Sequence, residues 1–388
     1  MSEKPDITSV REWLIEGALS APTPNDVITE ICERIVASGI PVWRAALFVR
    51  TLHPQVMGRR IEWRQGVGVR IGEASHEVVD SEAFHGSPVV RVYQEVRPLR
   101  LRLNTPEARA FPQLDELRAE GGTDYLAVPI VFSNGEVHVG TWATRYPGGF
   151  SDAQCAALET LSAPLARLTE AYALRRTAAN LLDTYVGHEA GARILAGSIR
   201  RGFTETIRAV IWLSDMRGFT ALADRTAPAA VIHTYRYFDC QVPAIAAHGG
   251  EVLKFMGDGL LAIFPLAGNA DPRDVCRAAR AAAIEVRDAI AAVSDWPGAA
   301  PRHGVALHIG DVLYGNIGAA NRLDFTCIGP AVNLAARLEG LARDQKRTTV
   351  FSAEFARHCG AGIVPLGDFA LAGFREPQPV YGLADESA

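Results

Sequence analysis

Cysteine is sparse and unpaired in this chain. The six cysteines (Cys32, Cys155, Cys240, Cys276, Cys327 and Cys359) are scattered, and no two stand in a Cys-x-x-Cys spacing. That argues against a zinc knuckle and against a disulfide framework. No segment approaches the roughly 18 uninterrupted apolar residues that a membrane-spanning helix requires. Neither sign of charge dominates: 39 Lys and Arg face 44 Asp and Glu, for a net charge of −5. This speaks against a general binder of nucleic acid or of membrane surfaces. The first residues, Met1-Ser-Glu-Lys-Pro-Asp6, lack the apolar stretch of a signal peptide. A reduced, cytoplasmic protein is the expectation. What is present is ordinary for a globular protein: 48% hydrophobic and 21% charged residues. A length of 388 residues leads us to expect two or three domains.

The first 160 residues read as mixed strands and helices. Pro24 to Ser38 has the pattern of a helix, and Trp43 to Thr51 and Ile61 to Val69 have the pattern of strands. Ala127 to Phe132 and Val137 to Trp142 form an expected hairpin across Asn134-Gly135, since Asn-Gly supplies the positive φ angles of a tight turn. Ser151 then caps a helix whose apolar positions, Cys155, Leu158, Leu161, Leu165, Leu168 and Tyr172, step by three or four. Pro164 is expected to kink it. A Val-Pro-Ile strand, a hairpin and Gly-Phe-Ser-Asp opening a long helix together resemble a GAF-type sensor domain. The resemblance implies an α/β regulatory domain over 1–160, followed by a helical linker over 161–204. Trp43, Trp63 and Trp142 are candidates for lining a small-molecule pocket, though each reads more simply as core.

From residue 205 the pattern changes. Ile207–Ser214 reads as a strand, and a helix runs from near Pro228 toward His248 with Ile232, Tyr235, Val242 and Ile245 inward. Glu251–Phe255 and Leu260–Phe264 read as a hairpin, Asp271-Pro272 as a helix start, and Gly304–Gly310 and Leu323–Gly329 as strands. Val332–Leu341 reads as a helix, Thr348–Phe351 as a strand, and Phe369 to Leu383 closes the sheet. The expected class is α+β, with helices on one face of a mainly antiparallel, ferredoxin-like (palm-type) sheet.

Two apolar runs in this region end in carboxylates. The first ends in Asp215 before Gly218-Phe219-Thr220, and the second in Gly257-Asp258-Gly259. If the runs are adjacent strands, both carboxylates meet at one end of the sheet. Hard divalent cations prefer such oxygen ligands, and two ions roughly 3.5–4 Å apart can activate one oxygen and stabilise a leaving oxygen. Backbone N–H groups of Met216, Gly218, Phe219 and Thr220 would face phosphate at a helix start. Downstream, Asn333 and Arg337 stand four residues apart and share one helix face. Alone, each feature reads as a helix cap, a turn residue or a solvated face; their combination points to nucleotide chemistry.

Four stretches now carry a specific resemblance: Ser214-Asp-Met-Arg-Gly-Phe-Thr220; His248-Gly-Gly-Glu-Val-Leu-Lys-Phe-Met-Gly-Asp-Gly259; Leu307-His-Ile-Gly310 with Tyr314-Gly-Asn-Ile-Gly318; and Asp324-Phe-Thr-Cys-Ile-Gly-Pro-Ala-Val-Asn-Leu-Ala-Ala-Arg337. Residues 205–388 resemble the catalytic domain of a class III nucleotidyl cyclase. The resemblance implies a head-to-tail homodimer with sites at the subunit interface and two Mg²⁺ or Mn²⁺ ions per site on Asp215 and Asp258. It implies that Asn333 positions the ribose, that Arg337 stabilises the transition state, and that Lys254 and Thr326 select the base. Cys327 is one residue out of that register. The Lys254/Thr326 pair resembles the adenylyl cyclase subgroup, so ATP is the expected substrate and cyclic AMP the product, with bicarbonate or a small molecule as a possible regulator. In that family a Leu-Lys-Gly-like turn lies near the C-terminus; here it reads Leu371-Ala-Gly-Phe-Arg375, and Arg375 is the candidate to replace the missing charge. The alternatives are a silent nucleotide-binding module and a guanylyl cyclase, the latter typically carrying Glu and Cys at the two base positions. A diguanylate cyclase would need a Gly-Gly-Asp/Glu-Glu-Phe hairpin, which Gly257-Asp-Gly-Leu260 is not.

Overall fold

The computed structural model describes residues 5–51, 56–219, 224, 235–294, 296 and 300–386. Its contacts divide into two units, Met1–Leu181 and Leu182–Ala388. Among the described residues no helix is long and apolar enough to cross a membrane.

The described residues of unit 1 form six strands: β1 (Arg44–Arg50), β2 (Gly58–Arg64), β3 (Gly68–Ala74), β4 (Leu99–Arg102), β5 (Asp124–Val131) and β6 (Val137–Thr144). They form one sheet in the order β3-β2-β1-β6-β5-β4, with every pairing antiparallel. Both faces are covered, as the alternation in β5 records. Leu126, Val128 and Ile130 face one core, while Tyr125 and Ala127 face the other. The expected hairpin is present, with Gly135 at φ +86° in its turn.

The expectation of one strand over Ile61–Val69 is wrong. The chain turns at Gln65–Val67, with Gly66 at φ +75°, and returns as β3. The helix after Ser151 is also two helices, Asp152–Thr160 and Ser162–Val186, with the break at Leu161 three residues before Pro164. Ser151 caps the first through a reciprocal pair with Gln154. Leu161 and Leu165 are buried in unit 1's own core, and Leu168 and Tyr172 pack against it. Trp43, Trp63 and Trp142 are all buried core residues.

Among its described residues unit 2 holds eight strands: β7 (Thr204–Met216), β8 (Glu251–Met256), β9 (Gly259–Pro265), β10 (His303–Ala319), β11 (Arg322–Ile328), β12 (Thr349–Ser352), β13 (Ile363–Phe369) and β14 (Gln378–Leu383). The order is β13-β14-β12-β10-β7-β9-β8, with β11 on the end of β10. Pairing is antiparallel except between β10 and β12. β10 does not stop at Gly310 as expected. It pairs with β7 through Gly315 and then with β11, so one continuous strand carries both the His308 and the Tyr314 stretches.

Helices cover both faces of this sheet, which corrects the one-face expectation. Val210, Trp212, Leu260 and Leu307 pack under the helices Arg236–Ala247, Pro272–Ala292 and Ala353–Cys359. Ala209, Ile211, Leu213 and Ile263 point the other way, toward Ala331 and Ala335 of the Pro330–Asp344 helix. Apolar residues at consecutive positions of β7 are buried on alternating faces, so both faces need a cover. In the Arg236–Ala247 helix the buried side is Tyr237, Gln241, Ala244 and Ile245, and Pro243 lies exposed. Tyr235 precedes this helix, Val242 is half-buried, and Ile232 lies outside the described residues. All six cysteines are free thiols, and five of them are buried.

Candidate active site

Asp215 is the penultimate residue of β7, half-buried where the strand leaves the sheet. β7 pairs with β9 up to Ser214↔Leu260, which carries the β8–β9 turn alongside. That turn has two residues, Gly257 at φ +70° and Asp258, a conformation that suits glycine in a tight hairpin. Gly259 is needed for another reason: any side-chain carbon there would collide with the Ser214 carbonyl oxygen and lie 3.1 Å from Asp215 Oδ1. The two glycines therefore let Asp258 approach Asp215. Burial first, then the like charge of Asp258 and the charge of Glu339, push the Asp215 carboxyl up to about 6. Among the described residues no cluster of three or more His, Cys, Asp or Glu could cage a metal by itself. A divalent ion held by this carboxylate pair would complete its shell with phosphate oxygens and water, which is the habit of Mg²⁺.

The following turn is described as far as Phe219. Met216 is buried; the Arg217 amide donates to the Arg302 carbonyl at 2.7 Å; Gly218 adopts φ +75°. Phe219 packs beside Tyr235 at 5.9 Å between ring centroids. Thr220 lies outside the described residues.

Lys254 is half-buried in β8, at a register shift between Val252 and Lys254 that re-aims its side chain. Thr326 lies in β11 opposite Gly315 of β10, only 3% exposed, and its Oγ1 has no hydrogen-bond partner. Phe325 and Cys327 on either side of it point into the core, so strand alternation turns Thr326 to the opposite face. Burial pushes the Cys327 thiol up to about 11, with Lys254 near enough to pull against it. One chain therefore brings Lys254 close to the Thr326–Cys327 segment.

Asn333 and Arg337 are both exposed on the Pro330–Asp344 helix, whose buried face is Ala331, Ala335, Leu338 and Ala342. They share one open face, as their spacing predicts. Arg375 is exposed on the connection between β13 and β14, and β14 stands three places from β7 in the strand order.

Sequence reasoning missed Glu339, Arg217 and Arg343 around the first aspartate. Glu339 and Arg217 converge over Gly304, the cross-strand partner of Asp215; a side-chain carbon on Gly304 would meet Arg217 Nη2 at 2.7 Å and Glu339 Oε1 at 3.0 Å. Burial raises the Glu339 carboxyl, and Arg343 and Arg217 oppose that rise. The signal was legible: Glu339 follows Leu338 on the buried side of its helix, where an unpaired carboxylate is costly.

Comparison with known proteins bears on this unit. Residues 204–375 match the family described as the adenylate and guanylate cyclase catalytic domain. Adenylate cyclase 1 of Rhizobium meliloti (strain 1021) is 30% identical over 175 residues, covering 43% of this chain and 26% of that protein. The adenylate cyclase of Anabaena cylindrica is 33% identical over 155 residues, covering 38% and 30%. The crystal structure of the adenylyl cyclase CyaB from P. aeruginosa aligns with 25% identity and a TM-score of 0.41, over 47% of this chain and 97% of that one. The chain spans between a quarter and a third of the length of these two curated relatives. Residues 204–375 are thus similar to adenylate and guanylate cyclase catalytic domains.

Proposed function

We propose that unit 2 is an adenylyl cyclase that converts ATP to 3′,5′-cyclic AMP and pyrophosphate. The ribose 3′-oxygen attacks the α-phosphorus in line; the bond from that phosphorus to the bridging oxygen breaks; pyrophosphate leaves; and the hydroxyl proton passes to solvent. The observation that carries this reading is the approach of Asp215 and Asp258 across the glycine-flanked turn, where burial first and then their like charge raise the Asp215 carboxyl to about 6. A pair held together at that cost fits a site made for cations. Mg²⁺ or Mn²⁺ ions held by Asp215 and Asp258 would neutralise phosphate charge and lower the pKa of the attacking hydroxyl.

The chain's own groups have distinct tasks in this reading. Backbone amides from Met216 to Thr220 hold phosphate oxygens. Lys254 donates to adenine N1, and the partnerless Thr326 hydroxyl takes the exocyclic amino group. Asn333 orients the ribose and Arg337 neutralises charge developing on the transferring phosphoryl group. Arg375 reaches the triphosphate. The exposure of Asn333 and Arg337 supports a site completed across two copies of the chain, with aspartates from one copy and these residues from the other. Unit 1, a GAF-like domain in this reading, regulates turnover, as bicarbonate also does.

The test is product chromatography with Mg²⁺ or Mn²⁺ and either nucleotide. Cyclic AMP from ATP is the expected outcome. Cyclic GMP as the main product would overturn the base assignment, and no cyclic product would overturn the enzyme reading. In the same assay bicarbonate at fixed pH raises the rate; no change against matched chloride removes that regulator.

A further inference from the structure

Glu251 opens β8 and Tyr314 lies in β10, strands that β9 and β7 separate in the sheet. Their side chains nevertheless meet: the Tyr314 hydroxyl donates to Glu251 Oε2 at 2.8 Å. The bond is made where β11 folds back from β10 toward β8. Burial raises the Glu251 carboxyl above the ordinary range. The Tyr314 hydroxyl and then the Ala190 backbone amide pull against that rise, so the Tyr314 hydrogen bond is the larger of the two that offset the burial of Glu251.

Three further contacts show what this bond holds. Tyr314 stacks edge-on against Phe325, ring centroids 4.9 Å apart, and pairs directly with Cys327. It thus grips both neighbours of Thr326, while Glu251 stands three residues before Lys254 on the opposing strand. Arg193, from the helix His188–Leu195, lies over the Tyr314 ring at 5.3 Å and pairs with Glu205. Gly187, at φ +96°, brings that helix against β8, where an added side-chain carbon would lie 3.3 Å from the Val252 carbonyl oxygen.

We propose that the Glu251–Tyr314 hydrogen bond positions the base-recognition pair, fixing the strand of Lys254 against the strand of Thr326. Glu251 and Tyr314 are positioning residues, since neither is assigned to touch substrate. The inference rests on the reading of Lys254 and Thr326 as base selectors.

Calorimetric binding of non-cyclisable ATP and GTP analogues to the full chain, beside steady-state kinetics and a melting curve, tests it without requiring turnover. Tyr314→Phe deletes one hydroxyl. It weakens the ATP analogue about fivefold, the usual weight of one buried hydrogen bond, and narrows the preference for ATP over GTP by a similar factor. KM for ATP rises in parallel while kcat holds. Glu251→Gln keeps an acceptor for the hydroxyl and stays within about twofold of wild type in both affinity and preference. Unchanged affinity and preference in Tyr314→Phe would overturn the proposal. So would an equal loss on both nucleotides, which marks a merely structural role, or a Glu251→Gln defect as large as that of Tyr314→Phe. A wild-type chain that prefers ATP in binding yet forms no product refutes the cyclase reading and leaves this inference to the binding data.

Discussion

At the scale of single residues, the account turns on the like-charge pair Asp215 and Asp258. Burial first, and then repulsion from Asp258, raise the Asp215 carboxyl to about 6. Replacing Asp258 by Asn removes the repulsion and, on the proposed reading, the second cation ligand together. Asp258→Asn therefore melts about 2–4 °C higher than wild type in metal-free buffer, as a gain near 1 kcal/mol does for a unit of this size, while cyclase activity falls at least about a hundredfold. Calorimetry and a product assay on one preparation check both halves. A raised carboxyl also fixes the sign of the pH dependence. Asp215's contribution to stability is fully present below its unfolded value of 3.8 and is lost as pH rises through about 6. Wild type therefore loses stability relative to Asp215→Asn across that window. Mn²⁺ affinity runs the other way, weakening as pH falls below about 6, because a proton then competes for the carboxylate. Titrations at pH 5 and pH 7.5 separate the two trends.

At the scale of elements, the β8–β9 hairpin is the part that cannot be displaced. Gly259→Ala puts a carbon into the Ser214 carbonyl oxygen, so the turn must move away from β7. We expect a stability loss of about 1–3 kcal/mol and a loss of metal affinity, read by denaturant titration and Mn²⁺ binding. Gly257 and Gly259 were legible in the sequence as turn formers, as were the strand carrying Asp215, the Asn134-Gly135 hairpin, the Ser151 cap and the shared face of Asn333 and Arg337. What escaped has a physical pattern. The apolar run of β7 was visible, yet a run does not say what covers each face, so the helices were all expected on one side. The turn at Gly66 was hidden because the alternation of Ile61, Trp63, Val67 and Val69 keeps a period of two straight across it. Glu339 could have been found from its place on the buried side of its helix, but the Glu251–Tyr314 bond joins residues far apart in the chain, and no local pattern announces it. Alternation also explains why Thr326 and not Cys327 is the base candidate: neighbours in a strand face opposite ways.

At the scale of the whole molecule, the central claim is that two copies share each site. The aspartates meet within one chain, while Asn333 and Arg337 stand on an exposed helix face. The measurement that tests this most directly is complementation. Asp215→Ala chains and Arg337→Ala chains are prepared separately, assayed alone, then mixed in equal amounts and assayed for cyclic AMP. Each alone is inactive on this account. In the mixture half of the dimers are mixed, and each of those has one intact site of two, so activity recovers to about a quarter of wild type. A mixture as inactive as its parents, at protein concentrations where wild type is active, would contradict the shared site.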